Sequence, residues 1–223
     1  VRDAGATFAL SPGCTPAASA ASAPAPTTGA AWPRYEQAMV IDCLASPGPF
    51  NTTQPATPLS DAMVRNAAAS GITGINLTVN GDDFPSTMRR IGTWERELNV
   101  HGDVLMRVRS VRDLAEAKRT KRLGIIYGFQ GVQPIGSDLS TIATFAAFGV
   151  KIVQLTYNTR SLVGDGSLEP GNAGLSSFGR EVVAELEKLM KPYQPAEAGK
   201  IPVFHGGAVG YLGYDMVRFF EPT

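Results

Sequence analysis

Short apolar runs alternate with amphipathic helical stretches from Met39 onward, and this order constrains the fold more than any other feature of the chain. The apolar runs are residues 39–41, 72–79 (ITGINLTV), 104–108, 123–127 (LGIIY) and 150–157. Between them lie helical patterns. The first covers 59–69, with Ser60 as N-cap and Gly71 just past its end. The second covers 83–98, with Pro85 tolerated in its first turn. A third runs from a Ser110 cap to Arg119. A fourth starts at Ser137 or Asp138, ends near Phe148 and is closed by Gly149. A last one covers 175–190 after a long polar loop. Strand–helix thus repeats about five times, with strands that read as apolar on both faces, which predicts a parallel sheet covered by helices. Two architectures satisfy that pattern, a doubly wound open sheet and a (β/α)8-barrel. A whole barrel needs eight units and about 250 residues, so the barrel reading is of an incomplete one, with about five to six units.

The 223 residues are 43% hydrophobic, enough for a real core. Lys+Arg and Asp+Glu both number 20, so the balance points to neither a nucleic-acid surface nor a polybasic membrane anchor. No apolar run approaches the ~20 residues that cross a bilayer. Two cysteines, Cys14 and Cys43, cannot make a disulfide framework; Cys43 follows an apolar strand and is expected to be buried and inert. Residues 1–37 stand apart. Their stretch SPGCTPAASAASAPAPTTGAA holds no charge and almost nothing large, and is expected to be disordered. Arg2, a short apolar patch and then small residues resemble the tail left by an export signal, which implies an exported, periplasmic or extracellular location. A lipoprotein cleavage site at Cys14 and a plain linker are the alternatives.

Val40-Ile41-Asp42, the stretch GIIYGFQG from Gly124 and the run from Gly149 through Val183 together resemble the membrane (renal-type) dipeptidases, peptidase family M19. Val40-Ile41-Asp42 sits where that family opens with Ile-Asp-Gly-His-Asn-Asp, and the stretch from Gly124 to Gly131 (GIIYGFQG) looks like its strand ending in Glu-Gly. The run from Gly149 to Asn158, then Gly164-Asp165-Gly166 and LSSFGREVV from Leu175, is similar to the family over its full length. The resemblance covers residues 39–190. It implies a barrel, two zinc ions at the carboxyl ends of the strands, and hydrolysis of dipeptides, with small peptides as substrate. Paired zinc ions ~3.5–4 Å apart polarise a carbonyl and make hydroxide near neutral pH, and they require His and carboxylate ligands. Carried over residue by residue, the first-strand His falls on Leu44, the Asp two residues on falls on Ser46, and the bridging Glu falls on Gln130. A substrate-binding His falls on Tyr157. None of Leu44, Ser46 and Gln130 is expected to bind zinc in the family's way, so a chain with no metal and no catalysis, a barrel-like binding domain, is the alternative to an impaired hydrolase.

Other residues near this face are read both ways. Asp42 ends the first strand, the right end for chemistry in a barrel, but a lone carboxylate there is more often a loop or cap acceptor. Asp165 between two glycines is more often a turn former than a catalyst. Asp42 and Tyr157 are the catalytic candidates, and Tyr157, Asn158 and Asp165 the substrate-binding ones. Gly171-Asn172-Ala173-Gly174 before a helix can offer backbone N–H groups to an anion, but lacks the spacing of a nucleotide loop. After Met190 the character changes. Residues 191–221, with Gly206-Gly207-Ala208-Val209-Gly210-Tyr211 and Tyr214-Asp215, resemble the large subunit (component I) of anthranilate synthase, which implies a chorismate-binding fragment as a third reading. His205 follows the apolar stretch 201–204 and is a candidate metal ligand, though alone. The sequence thus divides at 37 and 190, with a join near 185–190. A barrel lacking its last strands leaves an exposed edge, for which a homodimer is one remedy.

Overall fold

The structure, a computed structural model, describes residues 34–49 and 57–193. All of the 1–37 tail but its last four residues lies outside those residues, as do Cys14, the 201–204 strand, His205 and the Gly206–Glu221 segment. Five strands form one parallel sheet: β1 (Ile41–Asp42), β2 (Gly74–Thr78), β3 (Leu105–Arg107), β4 (Leu123–Phe129) and β5 (Val150–Val153). Five helices alternate with them: α1 (Asp61–Ala69), α2 (Phe84–Val100), α3 (Val111–Thr120), α4 (Ser140–Ala147) and α5 (Ser177–Met190). A parallel order of this kind follows from helical crossovers between successive strands.

The expected helices form for the expected reasons. The Ser60 hydroxyl accepts the Met63 N–H at 3.3 Å to start α1, and Gly71 beyond it takes a positive φ of 69°. Asp83 and Ser86 make a reciprocal capping box at the start of α2, with Pro85 in its first turn. Ser110 and Asp113 do the same for α3. The start of α4 differs from the expectation. Residues 133–135 form a 3-10 turn, and Asp138 accepts the Ser140 N–H at 2.9 Å, so the helix begins two or three residues late. β5 is shorter than the apolar run it comes from and ends at Val153.

Strand order is not sequential. β2 pairs directly with β4, and the other edge of β4 is shared: β3 takes its first residues, Leu123–Ile125, and β5 its last, Tyr127–Phe129. The sheet therefore runs β1-β2-β4-β5, with β3 as a short side strand at the amino ends. Only β2 and β4 are buried on both faces, as expected for every strand. β1 is two residues long and both are exposed, while Lys151 and Ile152 of β5 are exposed too, since these are the outer strands. The same position corrects the expectation for Cys43: it is exposed, because it follows an outer strand with nothing packed over it among the described residues.

Alternate residues of the inner strands, Ile75, Leu77, Ile125, Tyr127 and Phe129, face α1, α2 and α4 and form the main core with Ile91, Trp94, Leu98 and Phe145. The opposite face carries Gly74, Asn76, Thr78, Gly124, Ile126 and Gly128. Asn76 fits there only because position 128 is glycine: a Cβ at Gly128 would sit 2.0 Å from Asn76 Oδ1. Where β3 gives way to β5, the Arg107 guanidinium lies 3.1 Å over the Tyr127 ring, pairs with Glu95 and donates to the Phe148 carbonyl at 2.6 Å. Tyr127 donates to Glu95 at 3.1 Å. Burial pushes the Tyr127 phenol well above its ordinary value, with the Arg107 charge opposing and Glu95 adding to the rise.

Gly128→Ala is expected to lower stability by roughly 1–3 kcal/mol through that overlap, whereas Gly92→Ala, in mid-α2 with nothing within 4 Å of its added methyl, raises it by about 0.5–1 kcal/mol; urea unfolding followed by circular dichroism measures both. The phenol of the unfolded chain ionises near about pH 10 while the folded one keeps its proton, so stability is whole below that pH and falls as pH rises through it. In Tyr127→Phe this alkaline decline is expected to flatten, which urea midpoints at pH 8 to 11 would register.

Candidate functional site

Because the strands are parallel, the carboxyl ends of β1, β2, β4 and β5 share one end of the sheet, where chemistry sits in folds of this kind. The residues brought there are Asp42 at the end of β1, Asn80 after β2, Gln130 after β4 and Gln154 after β5. Hydrogen bonds tie these ends together. The Ala45 N–H donates to the Asn76 carbonyl at 3.0 Å, and the Asn76 amide donates to the Cys43 carbonyl at 2.9 Å. The Gln130 N–H donates to Asn80 Oδ1 at 2.8 Å, and the Gln154 N–H to the Phe129 carbonyl at 2.9 Å. Asn80 is itself held by Arg90, which donates to its carbonyl at 2.5 Å.

Asp42 Oδ1 accepts the Leu44 N–H at 2.9 Å, the loop-acceptor role, and the residue is exposed. Leu44 is 38% exposed, and the Ser46 hydroxyl accepts the Gly48 N–H at 3.1 Å. Tyr157, Asn158 and Asp165 come together in the loop after β5. The Tyr157 ring is exposed, and its carbonyl accepts the Ser167 N–H at 2.7 Å. Asn158 Oδ1 accepts the Ser167 hydroxyl at 3.2 Å. The Asp165 side chain is only 8% exposed; it pairs with Arg160 and accepts the Ala173 N–H at 2.5 Å. Glu169 accepts the Arg160 N–H at 2.6 Å. These carboxylates therefore brace the loop, as the turn reading of Asp165 expects. The 171–174 segment behaves likewise: its Ala173 N–H is turned onto Asp165, and Ser176 caps α5 by accepting the Gly179 N–H at 2.9 Å.

Of the amide residues at the strand ends, only Gln130 stood out in the sequence. Asn76, Asn80, Gln130 and Gln154 give the strand ends a neutral, amide-rich lining, and Asn76 Oδ1 and Thr78 Oγ1 are buried with no partner. The signal was present in ITGINLTV, where Asn76 and Thr78 interrupt an apolar run at alternate positions. Their meaning needed the pairing that puts them on the glycine-lined face.

A metal would find few ligands among these residues. Leu44 offers no donor atom, the Ser46 hydroxyl is engaged by Gly48, and Gln130 is a neutral amide that cannot bridge two dications. No three of His, Cys, Asp and Glu come close enough to hold a metal among the described residues. The described residues do not fit a dinuclear centre.

A parallel sheet flanked by helices, with loops gathered at the strand ends, defines the chain as an α/β protein of barrel type. Residues 56–190, more than half of the sequence, match the family described as membrane dipeptidase (peptidase family M19), and the chain belongs to that family. A solved amidohydrolase from Pseudomonas aeruginosa is 31% identical and superposes with a TM-score of 0.62 over 70% of this chain and 45% of its own. Dipeptidase aclJ of Aspergillus oryzae is 27% identical over 107 residues, which are 46% of this chain and 25% of that protein. A probable anthranilate synthase component 1 of Schizosaccharomyces pombe is 46% identical over 41 residues, 18% of this chain and 8% of that one. The chain thus spans less than half the length of each of these three proteins. The family match starts beyond Leu44 and Ser46 and includes Gln130 and Tyr157. No helix among the described residues is long and apolar enough to cross a membrane.

Asp165→Ala is expected to release both the Arg160 pair and the Ala173 N–H without touching the sheet. Limited proteolysis within 158–176 then speeds up several-fold, while the urea midpoint of the core shifts little.

Proposed function

We propose that the chain provides the first part of a dipeptidase-type barrel that takes small peptides at the carboxyl ends of its strands, with metal-dependent hydrolysis impaired. The observation that carries this reading is Gln130. It stands at the end of the central strand, fixed by Asn80, where the family resemblance puts the carboxylate that bridges two metals. A neutral amide there keeps the shape of the site and its hydrogen-bonding capacity, but not the charge that holds dications. The remaining strand-end groups, Asn80, Gln154 and Thr156, are donors and acceptors suited to a peptide backbone rather than to an ion. Asp42 and Tyr157 stay in this reading as strand-end groups in reach of a bound peptide, with Asn158 and Asp165 shaping the loop beside it. Zinc, where the wider family uses a metal, is the ion the lost ligand types favour.

Elemental analysis of the purified chain, together with a dipeptide hydrolysis assay, tests this. Sub-stoichiometric metal and no hydrolysis are expected, and dipeptides should raise the melting temperature, since a ligand of the folded state must do so. Stoichiometric zinc with hydrolysis would overturn the proposal. The combined substitution Leu44→His, Ser46→Asp and Gln130→Glu is expected to increase zinc uptake measurably over the parent chain.

A further inference from the structure

The ladder between β2 and β4 continues past the ends of the strands. The Val79 N–H donates to the Gly128 carbonyl at 2.9 Å, a backbone bond in register with the strand pairing. The next bond changes kind. The Gln130 N–H donates to the side chain of Asn80 at 2.8 Å, between residues 50 apart in the chain. Asn80 therefore carries the pairing one step further, to the first residue beyond β4. Both residues are half-buried, and each follows a fully packed neighbour, Val79 and Phe129.

Asn80 is in turn held from α2. Arg90 donates to its carbonyl at 2.5 Å. The following residue, Gly81, donates its N–H to Thr87 Oγ1 at 2.8 Å, and Thr87 is a fully buried polar side chain near the start of α2. A buried hydroxyl keeps such a partner because an unmet one is costly. A Cβ at Gly81 would overlap the Ser86 hydroxyl, so only glycine lets the turn close directly on the helix start. The turn is thus fixed to α2 at two consecutive residues, and α2 is fixed to the sheet through Ile91, Trp94 and Leu98.

We infer that Asn80 is a positioning residue for the strand-end site, set in place by Thr87 and Arg90 and acting through Gln130. A carboxamide meets a ligand only where its backbone aims it, and errors of about 0.5 Å already matter in such a site. The connected residues Thr87, Gly81, Asn80 and Gln130 fix that aim from the helix. The inference rests on the peptide-binding reading above for the identity of the ligand alone, since the hold on Gln130 is independent of what binds.

Calorimetric titration of the whole chain with the dipeptide Ala-Ala, together with amide hydrogen exchange followed by NMR, tests this. In Asn80→Ala the Gln130 N–H is expected to exchange roughly tenfold faster, while Ile125 and Tyr127 in mid-β4 keep their rates. Ala-Ala should bind about tenfold more weakly, the size of one lost hydrogen bond. Asn80→Asp keeps the acceptor oxygen and should restore both. Thr87→Val keeps the packing and removes only the acceptor of the Gly81 N–H. It does not touch Gln130, so faster Gln130 exchange with weaker Ala-Ala binding in that variant is the signature of positioning. Unchanged Gln130 exchange in Thr87→Val, or losses that Asn80→Asp does not restore, overturn the inference and leave Asn80 as a local turn former. If the parent chain does not bind Ala-Ala, the peptide reading fails, and the Gln130 exchange rates in the three variants still decide the positioning.

Discussion

The pairing of β4 on both edges is the constraint on which the rest of the structure depends. β2 occupies one edge along five residues, while β3 and β5 divide the other. Because β4 is buried on both faces, all its backbone groups must be met by neighbours, and the joint between β3 and β5 is where that supply is interrupted. Arg107 closes the joint: its stack on Tyr127, its pair with Glu95 and its bond to the Phe148 carbonyl tie β3, β4, α2 and the start of β5 into one unit. Such a buried cation is stable only while every partner is in place.

The same pairing creates the candidate site. A strand held on both edges delivers Gln130 at a fixed point, and Asn80 from β2 clamps its backbone. Glycine at 128 leaves room for the Asn76 side chain, and glycine at 124 lets Val108 and Ala117 pack close against β4. Neutral amides stand at the strand ends, and the nearby carboxylates Asp165 and Glu169 are committed to the loop after β5. Fold and chemistry are separable in this way because the barrel's stability comes from strand pairing and the helix-facing core, while its chemistry comes from a few side chains at one end.

Much of this was legible in the residues. The five strands and five helices lie close to where apolar runs, caps and glycines predict them, since Ser60, Asp83, Ser110 and Gly71 act through contacts within a few residues of themselves. The family resemblance was legible too, in GIIYGFQG and in the run from Gly149. Less legible were the edges. Nothing local in Ile41, Cys43 or Ile152 says that their strands are outer ones and exposed, and nothing in residues 104–108 says that β3 will be a side strand. Both follow from how much of β4 each neighbour covers, which is a property of the whole sheet.

By itself, then, the sequence determined the alternation of elements, their caps and the parallel α/β class, because each of these is fixed by residue type or by short-range hydrogen bonding. Only the tertiary structure decided that β2 meets β4, that Asp165 accepts the Ala173 N–H and pairs with Arg160, and that amides stand at the strand ends. The first and last of these depend on residues far apart in the chain, brought together when burying Ile75, Ile125 and Tyr127 against the helices set the register of the sheet.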